Sequence, residues 1–138
     1  MTDTTLTAPA APGRITIRFA LLLDAVVSGA NGVAYLVAAG PIGDVLGLPA
    51  GFLRALGAFF VVYGLAVWLV SRRPSSPAVA AVVAGNALWV VASFAFLFAG
   101  WHDPSTAGTV WIVLQALVVA GFAELQVASA PWRAGRTS

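Results

Sequence analysis

The chain contains no cysteine and no lysine, and its single histidine is His102. Without cysteine it has no disulfide, no thiol nucleophile and no thiolate metal site. Without lysine it has no Schiff base, which excludes retinal-type pigments and pyridoxal chemistry. One histidine in a loop gives neither a multi-histidine metal site nor haem ligation, so no metal and no cofactor is expected. Charge is scarce as well. Charged residues make up 9% of the chain, against about 25% in an ordinary soluble domain. The seven basic residues are all arginine. They are too few, and too far from any aromatic cluster, for nucleic-acid binding.

Apolar residues fill that gap. They form 60% of the 138 positions, and the mean hydropathy is +0.94. A chain this short cannot hide so much apolar surface in a water-soluble core. Lipid is the solvent that suits it. Four apolar runs are each long enough to cross a hydrocarbon core of about 30 Å. They cover about residues 15–39, 51–70, 77–99 and 106–130.

Breaker-rich segments separate the runs. The first is Gly40-Pro41-Ile42-Gly43-Asp44 and onward to Pro49, read as a loop. The second is centred on Arg72-Arg73-Pro74, and the third on Trp101-His102-Asp103-Pro104. Pro77 and Ser105 suit helix starts, and Gly40 and Gly100 suit helix ends. Residues 1–14 are polar and lack a basic start, so they read as a disordered tail and not a signal peptide. Residues 15–130 form the four-span domain, and 131–138 a second tail.

This predicts an all-α, four-helix transmembrane bundle. Arg14, Arg18, Arg72, Arg73, Arg133 and Arg136 share one side if both termini do, and only Arg54 lies on the other. The positive-inside rule then places both termini in the cytoplasm, in a multi-pass protein of the bacterial inner membrane.

The first run carries the clearest functional signal. Asp24, Ser28, Asn31 and Tyr35 fall within a stripe about 60° wide at 100° per residue. A polar stripe in lipid is costly, so it is expected to face protein or trapped water. One reading is a proton- or cation-binding carboxylate at Asp24, with the other three lining a path about 16 Å long. A second is a packing residue that locks helices together. A third is an interfacial Asp24 snorkelling beside Arg18. A stripe of small residues, Ala25, Gly29 and Gly32, runs alongside and predicts a closely packed neighbour.

Other polar residues lie within the runs. Glu124 shares its face with Leu117, Ala120 and Gly121, whereas Gln115 and Gln126 lie opposite with Trp111 and Phe122. That double polarity implies either an oligomer or a Glu124 at the headgroups. Asn86 and Ser93 share a face of the third run, and Tyr63 in the second can donate to Asp24 or Asn86. Arg54 can pair with Asp44 or snorkel, and His102 and Asp103 read as solvated.

The run Gly85-Asn86-Ala87-Leu88-Trp89, the Leu48-Pro49 turn and the ending Ala123-Glu124-Leu125-Gln126 carry a resemblance. The chain resembles small bacterial four-span integral membrane proteins of hypothetical type, over about residues 15–130. The resemblance implies the four-span fold and brings no activity with it. The residues themselves predict a carboxylate-containing polar cavity, built from Asp24, Ser28, Asn31, Tyr35, Tyr63, Asn86 and Glu124. Such a protein is transporter-like, or an accessory subunit in a homo-oligomer or larger membrane complex. Two alternatives stand beside it. One is a membrane enzyme using Asp24 and Glu124 as acid and base on a lipophilic substrate. The other is a purely structural subunit.

Overall fold

A computed structural model describes residues 16–134. The predicted tail 1–14, Arg14, Arg136 and the end of the second tail lie outside the described residues. Six helices follow one another: α1 (Ile17–Val37), α2 (Ala39–Leu46), α3 (Ala50–Arg72), α4 (Ser76–Ala99), α5 (Thr106–Ala128) and α6 (Pro131–Ala134). No strand occurs among the described residues. Four helical stretches are long and apolar enough to span a membrane, the last running through α5 and α6 to Arg133. Val26, Val62, Leu88, Val91 and Phe98 all stand exposed on the outside of the bundle. An exterior of that kind suits lipid, because a water-soluble monomer rarely carries so large an apolar surface.

Local chemistry sets most of the helix ends. Thr16, Ser75 and Ser105 accept hydrogen bonds from the backbone N–H groups of Phe19, Ala78 and Gly108 and so cap α1, α4 and α5. Gly100 closes α4 in the left-handed conformation, with φ 72°. The segment after α1 departs from the expected loop. The chain breaks at Ala38, not Gly40, and residues 39–46 form α2. Pro41 falls in the first turn of α2, where an N–H has no intrahelical partner, so the proline costs no bond there.

The end of α2 locks onto α5. The Leu46 carbonyl accepts from the Ser105 N–H at 2.9 Å, and the Ser105 hydroxyl donates to the Val45 carbonyl at 2.7 Å. The Leu46 carbonyl also lies against Gly108, where a Cβ would collide with it.

Helix α1 sits between α3 and α5, and α5 lies beside α4. The small-residue stripe makes the α1–α3 contact. A Cβ built on Gly32 would stand 2.7 Å from the Gly57 carbonyl oxygen, and one on Gly57 would stand 2.7 Å from that of Gly32. The backbones touch, as small residues allow in membrane helix pairs. Between α3 and α4 bulky side chains fill the space instead. Phe52 stacks on Phe96 at 5.4 Å, and Phe60 meets the Trp89 ring edge-on at 4.8 Å.

Two apolar clusters result. One, near the chain termini, gathers Leu21, Ala25, Val67, Val79, Val82 and Ala130. The other, near the α1–α3 and α4–α5 links, gathers Tyr35, Ala39, Leu46, Leu48, Leu53 and Phe60. At the terminal end Arg18 donates to the Ser71 and Arg72 carbonyls at 3.0 and 3.4 Å. It thereby satisfies carbonyls at the end of α3, where a cation also suits the helix dipole. The Arg72 guanidinium lies 5.3 Å from the centroid of the Trp68 ring.

Candidate functional site

Asp24 is 1% exposed. A carboxyl in that position needs hydrogen-bond partners, because an unpaired one would cost far more than a fold can spare. Three neutral side chains supply them. The Ser28 hydroxyl donates to Oδ1 at 3.1 Å. The Asn86 and Gln126 amides each donate to Oδ2 at 2.8 Å. Asn86 uses the same amide nitrogen to donate to Gln126 Oε1 at 3.0 Å, which closes a triangle of three side chains. Tyr63 completes the net by donating to Asn86 Oδ1 at 2.7 Å, with the Val82 carbonyl 3.2 Å away as a weaker second acceptor. Each long helix contributes: Asp24 and Ser28 from α1, Tyr63 from α3, Asn86 from α4 and Gln126 from α5.

The geometry is asymmetric around the carboxyl. Oδ2 is held by two amides in the packed interior. Among the described residues Oδ1 accepts from Ser28 alone, and Ser28 also lines two cavities. One, of about 230 Å³, runs along Phe59, Tyr63, Gly85 and Asn86. The other, of about 470 Å³, lies between α1 and α5, and Asn31, Trp111 and Gln115 contribute to its lining. Ser28 therefore touches the carboxyl on one side and open space on the other.

A second polar group lies toward the link end. The Trp89 indole donates to Gln115 Oε1 at 2.6 Å. The Gln115 amide donates to the Ser93 hydroxyl at 3.2 Å and to the Ile112 carbonyl at 2.9 Å. The Trp111 indole donates to the Tyr35 hydroxyl at 2.8 Å. Buried tryptophans characteristically find such partners.

Of the residues singled out from sequence, Asp24, Ser28, Tyr63 and Asn86 meet in one net. Asn31 is half-buried and lines the α1–α5 cavity, and Tyr35 is buried at the link end beside Trp111. Glu124 is exposed and lines a hollow with Arg133 near the chain terminus, on the face of α5 away from Asp24. The double polarity of α5 is thus divided within one chain, amides inward and carboxylate outward. Arg18 bonds α3 carbonyls and makes no hydrogen bond to Asp24 among the described residues, so Asp24 is a buried group and not a snorkelling one. His102 is exposed, yet its ring packs 5.4 Å from that of Phe52 and 5.6 Å from that of Phe96.

Gln126 is the residue that sequence reasoning left out of the site. It lies eleven positions, three helical turns, after Gln115, and that spacing marks both as one face. Among the described residues no group of three or more His, Asp or Glu side chains gathers as a metal site. Among the described residues, the fold and site define an all-α bundle of four membrane-length helices around one buried carboxyl with a hydrogen-bond donor on each oxygen. Comparison with known proteins finds no matching family model, no matching curated protein and no matching solved structure.

Proposed function

We propose that the chain is a small inner-membrane protein of transporter-like design, in which Asp24 takes up and releases a proton or a monovalent cation. The observation that carries this reading is the position of Ser28, bonded to Asp24 Oδ1 and facing the cavities. A proton on Oδ1 can be relayed through the Ser28 hydroxyl, which accepts it while releasing its own proton to an acceptor that enters the cavity. The two amides on Oδ2 stay in place in either state. One carboxylate carries one negative charge, which a single bound proton neutralises. A divalent cation would ask for a larger set of oxygen ligands.

Orientation follows from charge. Arg18, Arg72, Arg73 and Arg133 lie at the terminal end and Arg54 at the link end, which favours cytoplasmic termini. The cavities then lie on the outward side of Asp24. In the accessory form of the same reading, the bundle works beside a second copy or within a larger membrane complex.

A structural role is the second reading, and one observation favours it: the net joins all four long helices. The enzyme reading has less support, because Glu124 faces away from Asp24.

Proteoliposomes containing a pH-sensitive dye decide between them. The transporter reading expects proton flux in wild type that disappears in Asp24→Asn, a variant that keeps the shape of the side chain. Infrared difference spectra should show a carboxyl band that is absent from the variant. Wild-type flux no greater than that of empty liposomes would sink the proposal, and co-purification with a larger complex would then support the accessory form.

A further inference from the structure

A cavity of about 230 Å³ lies at the link end of the bundle, with its Trp89 wall about one helical turn beyond Asn86. Six aromatic side chains line it: Tyr35, Phe52, Trp89, Phe96, Trp101 and Trp111. No charged residue among the described residues does. Its volume lies below the ~300–1,000 Å³ of pockets for drug-sized ligands, so it suits one ring or two fused rings. The ring walls offer stacking faces that carry negative quadrupole charge and disfavour an anion. A cation would find π faces but no counter-charge.

The polar groups in the lining narrow the choice further. The Gln115 oxygen accepts from Trp89, and its amide donates to Ser93 and Ile112. The Ser93 hydroxyl donates to the Trp89 carbonyl at 2.8 Å. These groups already have partners. Tyr35 differs from them. It is 6% exposed, and its oxygen accepts from the Trp111 indole. Its own O–H hydrogen has no acceptor among the described residues. A buried phenol whose proton lacks a partner in an aromatic cavity is an incomplete donor, and such a group loses stability until an acceptor arrives.

We propose that this cavity binds a neutral, planar ring carrying a carbonyl oxygen, the chemistry of a quinone head group. The ring stacks between the indole and phenyl walls, and the carbonyl accepts the Tyr35 hydroxyl proton. Trp89, Trp111 and Gln115 also line the larger hollow between α1 and α5, so the two spaces are neighbours. Exposed Trp101 stands at the other edge of the cavity. The site is separate from the Asp24 net and does not rest on the transport reading.

Three of the five tryptophans line the cavity, so quenching of intrinsic fluorescence reports occupancy. The full chain, purified in detergent, is titrated with menadione and with methylnaphthalene, a ring of similar shape without carbonyls. Both are expected to bind saturably, menadione the more tightly. Tyr35→Phe is expected to reduce the menadione preference about three- to tenfold, the size of one neutral hydrogen bond. It should leave methylnaphthalene binding unchanged. Trp111→Phe breaks the same internal bond but keeps the phenol, so it should preserve the preference. Ala92→Trp narrows the cavity from an exposed lining position and should weaken saturable quenching by both compounds, with helical circular dichroism confirming the fold. Asp24→Asn should change none of these values, which keeps this test apart from the flux experiment. Absence of saturable binding overturns the proposal. So does a Tyr35→Phe effect that is equal for both compounds, or absent.

Discussion

Replacing Asn86 with leucine tests the carboxylate net most directly. Leucine keeps the branched heavy-atom skeleton of asparagine and removes the amide. Three hydrogen bonds go with it: those to Asp24 Oδ2 at 2.8 Å, to Gln126 Oε1 at 3.0 Å and from Tyr63 at 2.7 Å. Two scales bear on the cost. Hydrogen bonds between membrane helices average about 0.6 kcal/mol, with a maximum near 1.7, because the unfolded state in lipid also finds partners. A stranded buried polar group in a protein interior costs about 1–3 kcal/mol.

Relief is uneven in the variant. Tyr63 can fall back on the Val82 carbonyl at 3.2 Å, and Asp24 Oδ2 keeps Gln126 at 2.8 Å, but Gln126 Oε1 loses its partner. The membrane scale therefore governs two of the bonds, and the stranding term adds to the third. The expected loss is about 2–4 kcal/mol. Reversible unfolding in mixed detergent micelles measures it, with Leu88→Ala on the exposed face of the same helix as reference. A double-mutant cycle with Asp24→Asn should give a coupling above about 0.5 kcal/mol, since contacting residues in one net are not additive. A loss for Asn86→Leu no larger than that of Leu88→Ala would refute the reasoning and leave the net without energetic weight.

Two further pairs of variants separate close neighbours by geometry. Gly32→Ala places a Cβ 2.7 Å from the Gly57 carbonyl oxygen, whereas Gly29→Ala meets nothing within 4 Å. The first should destabilise the bundle by about 1–3 kcal/mol, as overpacking does. The second should be neutral or add a few tenths from helix propensity, at most ~1 kcal/mol, in the same unfolding assay. Gln126→Leu should cost about 1–2 kcal/mol through its lost bonds to Asp24 and Asn86. Glu124→Gln, two positions away but exposed, should stay within ~0.5 kcal/mol of wild type.

Composition and periodicity by themselves determined the class of this protein. Four apolar runs of membrane length follow from sequence because lipid offers no partners to the backbone, and only a helix satisfies every N–H and C=O within one segment. The helix starts near Pro77 and at Ser105 were equally local, since a proline in the first turn, or a side-chain oxygen beside free N–H groups, needs no tertiary contact. The polar stripe from Asp24 to Tyr35 and the small-residue stripe beside it were also legible, because periodicity states which side chains share a face.

What each face meets was settled only by packing. Residues 40–49 carry enough glycine and proline to read as a loop, yet α2 forms there because its end docks on Ser105 and Gly108. On α5 the Glu124 face and the Gln126 face are both polar, and the residues alone favoured the Glu124 carboxylate for the site over the Gln126 amide. The docking of α5 against α1 and α4 turned Gln126 inward to Asp24 and left Glu124 beside Arg133. The aromatic cavity draws its walls from α1, α3, α4, α5 and the α4–α5 link, so no single run contains its signal. A helix encodes its own stripes, but the partner of each stripe is a property of the assembled bundle.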